Sequence, residues 1–246
     1  MAPQLALRST SSGTCETMKR QAQRGFLLNP YRFGDPLYAN VSLLLHCDGV
    51  DAATTFTDNG PLGLTVTPGG NAQVDTAQFK FGTASALFDG TGDYLNVATG
   101  APFRYPGDFT IEFWVRPNTT SMAILYEGRV NGSTSTGFTI FKTPTSLAFH
   151  TNGTNQITYA SSIGTGAWRH IAVARVGTSI RMFLDGTQVG STYSSSANFS
   201  DGICYLGIDI ALGNSLNGWM DEVRITKGVG RYTGSFTPPA AAFPNN

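Results

Sequence analysis

The chain has 246 residues with 16 basic and 16 acidic side chains, so its formal net charge is zero and it makes no electrostatic case for nucleic acid or an anionic membrane. Hydrophobic residues make up 41%, enough for a core, but charged residues stop at 13%, roughly half the ~25% of an ordinary globular protein. No apolar run approaches the ~18 residues of a membrane span, and MAPQLALRSTSSG lacks an apolar stretch of signal-peptide length; the expectation is a soluble protein made in a cytoplasm.

Charge is unevenly placed. Residues 1–42 hold five basic side chains (Arg8, Lys19, Arg20, Arg24, Arg32) against Glu16 and Asp35, a net of +3 that the remainder balances. Residues 1–40 are polar and aperiodic. TCETMKRQAQR can form a short helix but has no apolar stripe, and NPYRFGDPLYAN is broken by Pro30, Gly34 and Pro36. Such a segment cannot bury a core of its own. It reads as an anchoring arm, with Arg20, Arg24 and Arg32 as hydrogen-bond donors and Tyr31, Phe33 and Tyr38 as contact area for docking in an assembly.

Strand signals begin after residue 40. VSLLLHC (41–47) runs apolar up to Asp48-Gly49, and SALFDGTGDYLNV (85–97) places a strand on each side of DGTGD. DFTIEFWVRP (108–117) alternates, with Phe109, Ile111, Phe113 and Val115 on one face. GFTIFK and SLAFHT are parted by Thr143-Pro144, WRHIAVARV and SIRMFLDG by Gly177-Thr178, and Asp185-Gly186 is a hairpin turn. CYLGID and GWMDEVRITKGVGRYT complete the set. About a dozen strands with no helical period of useful length predict an all-β protein. The expected fold is an antiparallel two-sheet jelly-roll sandwich over residues 41–238, with the arm before it and a tail at 239–246. Three cysteines, Cys15, Cys47 and Cys204, lack the spacing of a disulfide framework; buried free thiols are expected, with a Cys47–Cys204 bridge as the alternative.

The ordered set LLLHCDG, TFTDNGP, KFGTASALFDGTGDYL, DFTIEFWVRP, WRHIAVAR, IRMFLDG and GWMDEVRITKGVGRYTGSFTPP spans residues 42–238. It resembles the laminin-G-like branch of the concanavalin A-like lectin/glucanase fold. The closing DEVRITKGVGRYTGSFTPP is most similar to the version common in bacteriophage and prophage virion proteins. The resemblance implies a non-enzymatic virion structural protein, a capsid decoration or a tail or fibre component, made in the host cytoplasm. Its arm would hold it to other virion proteins in many copies or as a homo-oligomer, while the lectin-like domain faces host-surface or environmental glycans. Nucleic acid and membrane are not expected partners. A carbohydrate-binding adhesin and a diverged polysaccharide hydrolase are the alternatives.

Regular alternation puts Trp219, Asp221, Val223 and Ile225 on one face of the last strand, and Asp221 therefore in the core. First and last strands usually pair in this fold, which would bring Asp48 toward Asp221. Two neighbouring carboxylates need a shared proton or a cation, and related jelly rolls often hold a structural calcium in this region. One expectation is thus Ca2+ held by Asp48 and Asp221, with Asp89 and Asp93 as further oxygens or as turn caps. The metal-free alternative has Asp221 accept backbone N–H groups or pair with Arg175 or Arg181.

None of the four glutamates, Glu16, Glu112, Glu127 and Glu222, begins the E-x-D-x-x-E strand of laminarinase-type glucanases. Glu112 is expected as a solvated or groove-facing residue and His170 as a packed strand histidine. His46, His150 and His170 lack metal-ligand spacing, and no G-x-S-x-G, phosphate loop or HExxH is present. Sugar binding needs an aromatic platform beside short polar side chains, for which Tyr126, Asn131 and Tyr159 are the candidates.

Overall fold

In the computed structural model, which describes residues 34–97, 99–131 and 135–246, a 3-10 turn at Tyr38–Asn40 leads directly into β1 (Val41–Leu45). β2 (Val66–Gly69) and β3 (Gln73–Asp75) are short, and β4 (Ser85–Asp89) and β5 (Tyr94–Val97) flank the DGTGD turn. β6 (Phe109–Pro117), β7 (Ala123–Glu127), β8 (Thr139–Lys142), β9 (Leu147–Thr151) and β10 (Thr154–Tyr159) follow. The set closes with β11 (Arg169–Val176), β12 (Ser179–Leu184), β13 (Thr187–Ser194), β14 (Cys204–Leu206) and β15 (Asn217–Lys227).

These strands form the expected sandwich. One sheet runs β13-β12-β11-β6-β15-β4-β3 with β1 added on β15, and the other runs β10-β9-β8-β7-β14-β5-β2. Side chains from both inner faces fill the space between them, centred on Phe138. Around its ring stand Tyr105, Phe109, Tyr126, Phe149 and Phe199, with centroids 4.9–5.7 Å away. Cys47 and Cys204 are buried free thiols, while Cys15 lies outside the described residues. Among the described residues no helix is long and apolar enough to cross a membrane.

β1 pairs with β15 as expected, Leu45 opposite Val223, but β15 does not alternate regularly. Its register with β6 passes from Asp221 opposite Trp114 to Arg224 opposite Glu112, and Glu222 sits at φ 50. One extra residue bulges out and the parity changes. Met220, Val223 and Ile225 join the core, so Asp221 lies on the outer face rather than the core face.

Residues 34–40 and the segment after β15 pack over that outer face. Tyr232 and Phe236 stack 3.6 Å apart above Ala172, Ala174 and Phe183, while Phe243 packs on Val41 and Leu44 beside Tyr38. Beneath them lies a sealed ionic network. Arg224 donates to Glu112 Oε1 at 3.0 and 2.8 Å and to Asp35 Oδ2 at 3.1 Å. Arg231 forks onto Asp35 at 3.0 and 2.7 Å, and the Tyr232 hydroxyl donates to Glu112 Oε2 at 2.7 Å. Burial alone would raise the Glu112 carboxyl, but Arg224, His170 and Arg231 outweigh it and lower its pKa to about 2. Glu112 is therefore a fully buried ion-pair partner, not the solvated residue expected. His170 is packed in its strand as expected, edge-on to Trp114 and Phe236. Glu222 ties down the last turn of chain, accepting the Phe243 N–H at 2.7 Å and meeting His46 Nδ1 at 2.7 Å.

Candidate functional site

The outer face of the seven-stranded sheet is built differently. In β8, Ile140 faces the core opposite Phe149 of β9, so Thr139 and Phe141 point outward together with Ala148 and His150. Ile124 of β7 joins Phe141 and Ala148 in a small apolar cluster. This is the floor of a cleft of about 220 Å³, whose walls include Arg129, His150, Asn155, Asp209 and Asn214.

The wall side chains are held in place by bonds of their own. His150 Nδ1 meets Asn155 Oδ1 at 2.8 Å; with the amide oxygen as acceptor, the proton is on Nδ1 and Nε2 remains an acceptor. Asp209 closes its loop by accepting the Ala211 and Gly213 N–H groups at 2.9 and 2.7 Å, and its second oxygen accepts the Asn214 amide at 2.7 Å. Leu212 and Asn214 in that loop adopt φ 60 and 49, the left-handed region that asparagine tolerates. Arg129 donates to both Glu127 oxygens, at 2.7 and 2.6 Å. Burial pushes the Glu127 carboxyl up and Arg129 pulls against it. Both carboxylates beside the cleft are thus engaged by the protein. The arrangement offers an apolar floor and a rim of amide, imidazole and guanidinium groups, the pattern suited to holding a polar ligand with one hydrophobic face.

The sequence-derived candidates fall elsewhere. Between Ile124 and Tyr126 the β7–β8 register shifts, and both Leu125 and Tyr126 enter the core, where the Tyr126 hydroxyl meets that of Tyr105 at 3.2 Å. Tyr126 is therefore not a glycan platform. Tyr159 is half-buried against the core, and Asn131 is exposed but does not line the cleft. Tyr38, expected to dock in an assembly, packs within its own domain and donates its hydroxyl to Asn59 O at 2.6 Å. Arg20, Arg24, Tyr31, Arg32 and Phe33 lie outside the described residues. The signals that lead to the cleft were present in GFTIFK and SLAFHT, where Phe141 and His150 occupy the parity opposite Ile140 and Phe149.

Asp48 and Asp221 both serve the loop before β4. Asp48 Oδ1 accepts the Thr83 N–H at 2.5 Å and the Ala84 N–H at 3.1 Å. Asp221 Oδ2 accepts the Lys80 and Phe81 N–H groups at 2.7 and 3.1 Å. Burial pushes the Asp221 carboxyl up to about 7 against those two amides, and its Oδ1 is buried without a partner. One oxygen of each carboxylate is thus taken up by backbone amides of the loop 80–84. Among the described residues no group of three or more His, Cys, Asp or Glu side chains is placed to hold a metal. The pair therefore does not fit the oxygen-rich shell that calcium takes. Asp89 and Asp93 cap the DGTGD turn and its neighbour, accepting the Thr91, Asn71 and Asp89 N–H groups.

The fold is thus a two-sheet antiparallel sandwich with one outer face sealed by its own chain and, on the other, a cleft with an apolar floor and polar walls. Residues 89–229 match the Laminin_G_3 family model, and the chain belongs to that family of the concanavalin A-like lectin/glucanases superfamily. Among solved structures, domain 4 of AbnA, a GH43 extracellular arabinanase from Geobacillus stearothermophilus in complex with arabinotriose, is similar at 15% identity and a TM-score of 0.58, over 81% of this chain and 95% of that one. A binding domain of botulinum neurotoxin serotype D/C aligns at 15% identity and a TM-score of 0.57, over 77% of this chain and 49% of that one. The binding domain of botulinum neurotoxin DC in complex with SialylT gives 15% and 0.56, over 77% and 48%. The chain spans about half the length of these toxin domains, and at such identity the likeness is one of fold. No curated protein matches the chain.

Proposed function

We propose that this domain is a carbohydrate-binding module that seats sugar in the cleft over Phe141 and Ile124. The observation that carries this reading is the cleft itself: an apolar floor for the C–H face of a pyranose or furanose, ringed by His150 and Asn155 on strands, Asn214 on a closed loop, and Arg129 braced by Glu127. The sugars named with the arabinanase domain and the toxin domain support it by analogy of fold. Because Glu127 and Asp209 are both engaged, the cleft is suited to holding rather than hydrolysing a glycan. A glycan array with the full chain tests this reading. Binding that is lost in Asn155→Ala and Asn214→Ala supports the cleft; binding unchanged by both substitutions, or none across the array, overturns it.

The module belongs, in this reading, to a bacteriophage particle, with residues 1–33, ahead of the packed segment 34–40, as the anchor to other virion proteins and many copies displaying the cleft outward. The net +3 of residues 1–42 and the likeness of the closing DEVRITKGVGRYTGSFTPP to virion proteins support this placement. Limited proteolysis with intact-mass readout tests the anchor. Cleavage before residue 34 in the isolated chain, with protection inside an assembled particle, supports it; an arm protected in the isolated chain overturns it.

A further inference from the structure

We propose a second sugar subsite on the same sheet face, formed by Tyr205, Tyr94 and Asn96, which makes the ligand an elongated, uncharged glycan lying across the strands. The proposal rests on the glycan-binding reading of the cleft. Cross-strand register carries it. Thr139 of the cleft wall lies opposite Glu127, Glu127 opposite Tyr205, Tyr205 opposite Asn96, and Asn96 opposite Thr67. One unbroken row of outward side chains therefore runs from the cleft to β2. From β8 to β5 is three strand spacings, about 14 Å at ~4.8 Å each, the reach of a short oligosaccharide rather than of one ring.

At the far end of that row the chemistry is again that of a sugar platform. The rings of Tyr94 and Tyr205 lie 5.5 Å apart, tilted by 57°, and both are half-buried. Tyr94 is braced by the glycine opposite it: a Cβ at Gly69 would fall 2.0 Å from the ring, so only glycine lets the ring lie on the strand. The platform is thereby held before any ligand arrives. The two hydroxyls and the Asn96 amide have no hydrogen-bond partner among the described residues and remain available. Between cleft and platform, the buried Glu127–Arg129 pair offers no free positive charge to select an acidic sugar.

Calorimetry on the full chain with linear arabino-, xylo- and β-1,4-gluco-oligosaccharides of two to six units, and with a sialylated trisaccharide, decides the matter. For a neutral series that binds, affinity should rise with length. Tyr205→Ala and Tyr94→Ala should each weaken the hexasaccharide about tenfold, from lost ring stacking, and leave the disaccharide unchanged. Tyr205→Phe keeps the ring and should retain most of the affinity. Should the alanine variants melt early, amide shifts of Tyr205 and Asn96 in the unaltered chain, moved by hexasaccharide but not disaccharide, read the same contact. Affinity independent of length but sensitive to Asn155→Ala overturns the second subsite and leaves the cleft standing. Binding of the sialylated sugar alone overturns the neutral-chain assignment, and no binding by any probe removes cleft and subsite together.

Discussion

The two outer faces of this sandwich begin from the same alternation and end differently. On the eight-stranded sheet the outward residues are Glu112, Arg224 and Thr226, and residues 34–40 with the segment after β15 seal them from water. On the seven-stranded sheet the outward residues are Thr139, His150, Tyr205 and Asn96, all engaged in a cleft or a half-buried row. Charge is tolerable on the first face because every carboxylate in the network finds a guanidinium, and hydrogen bonding is available on the second because several groups do not. Covering a face turns its polar residues into architecture; leaving it open keeps them for a ligand.

The comparison breaks most visibly at the sealed face. Glu112→Ala leaves Arg224 buried without its main partner, and urea unfolding should show a loss of about 3–5 kcal/mol. Phe243→Ala removes the ring beneath which Arg224 lies at 3.8 Å and should cost about 3 kcal/mol by the same measurement. Next comes pH. Asp221 is raised from 3.8 to about 7 in the folded state, so its stabilising protonated form is fully present below about 4 and lost as pH rises through 7. Glu112, lowered to about 2, acts the opposite way: its contribution is present above about 4.5 and lost as pH falls toward 2. Thermal melts from pH 3 to 8 should therefore fall off on both sides of a maximum near pH 4–5 as far as these two groups decide it, and Asp221→Asn should flatten the alkaline limb. On the open face, Asn155→Ala should change stability by no more than about 0.5 kcal/mol while removing glycan affinity. The smallest expected effect is that of chelation: with Asp48 and Asp221 committed to amides, EDTA should leave the melting temperature unchanged.

The sandwich was legible in the sequence wherever strands alternate cleanly, as in DFTIEFWVRP, whose Phe109, Ile111, Phe113 and Val115 are all in the core. The site was misread at two bulges. Period-two reasoning placed Asp221 in the core, an error of one inserted residue, and Tyr126, chosen only as an aromatic suited to a sugar platform, enters the core at a second register shift. Glu222 takes φ 50 although glutamate has no preference for that region, and nothing local in GWMDEVRI marks it. It is the pairing with β1 and β6 and the bonds of Glu222 to His46 and Phe243 that stabilise the bulge, and these partners are far away in sequence. Tyr94 and Asn96, by contrast, stand in plain alternation with Leu95 and Val97 in DYLNV, and Tyr205 likewise between Cys204 and Leu206.

The position of β15 has a consequence for how the protein is made. This strand lies between β6 on one side and β4 and β1 on the other, yet it is the last of the fifteen to be synthesised. Until residue 227 has left the ribosome, β4 and β6 each present an open edge to whatever else is in the cell, and the first strand has no neighbour to join. No amino-terminal fragment that stops before Asn217 can close the larger sheet. Closure of the larger sheet therefore waits for residue 227 and is expected to be slow, with native contacts joining residues more than 180 positions apart, as at Val41 and Thr226.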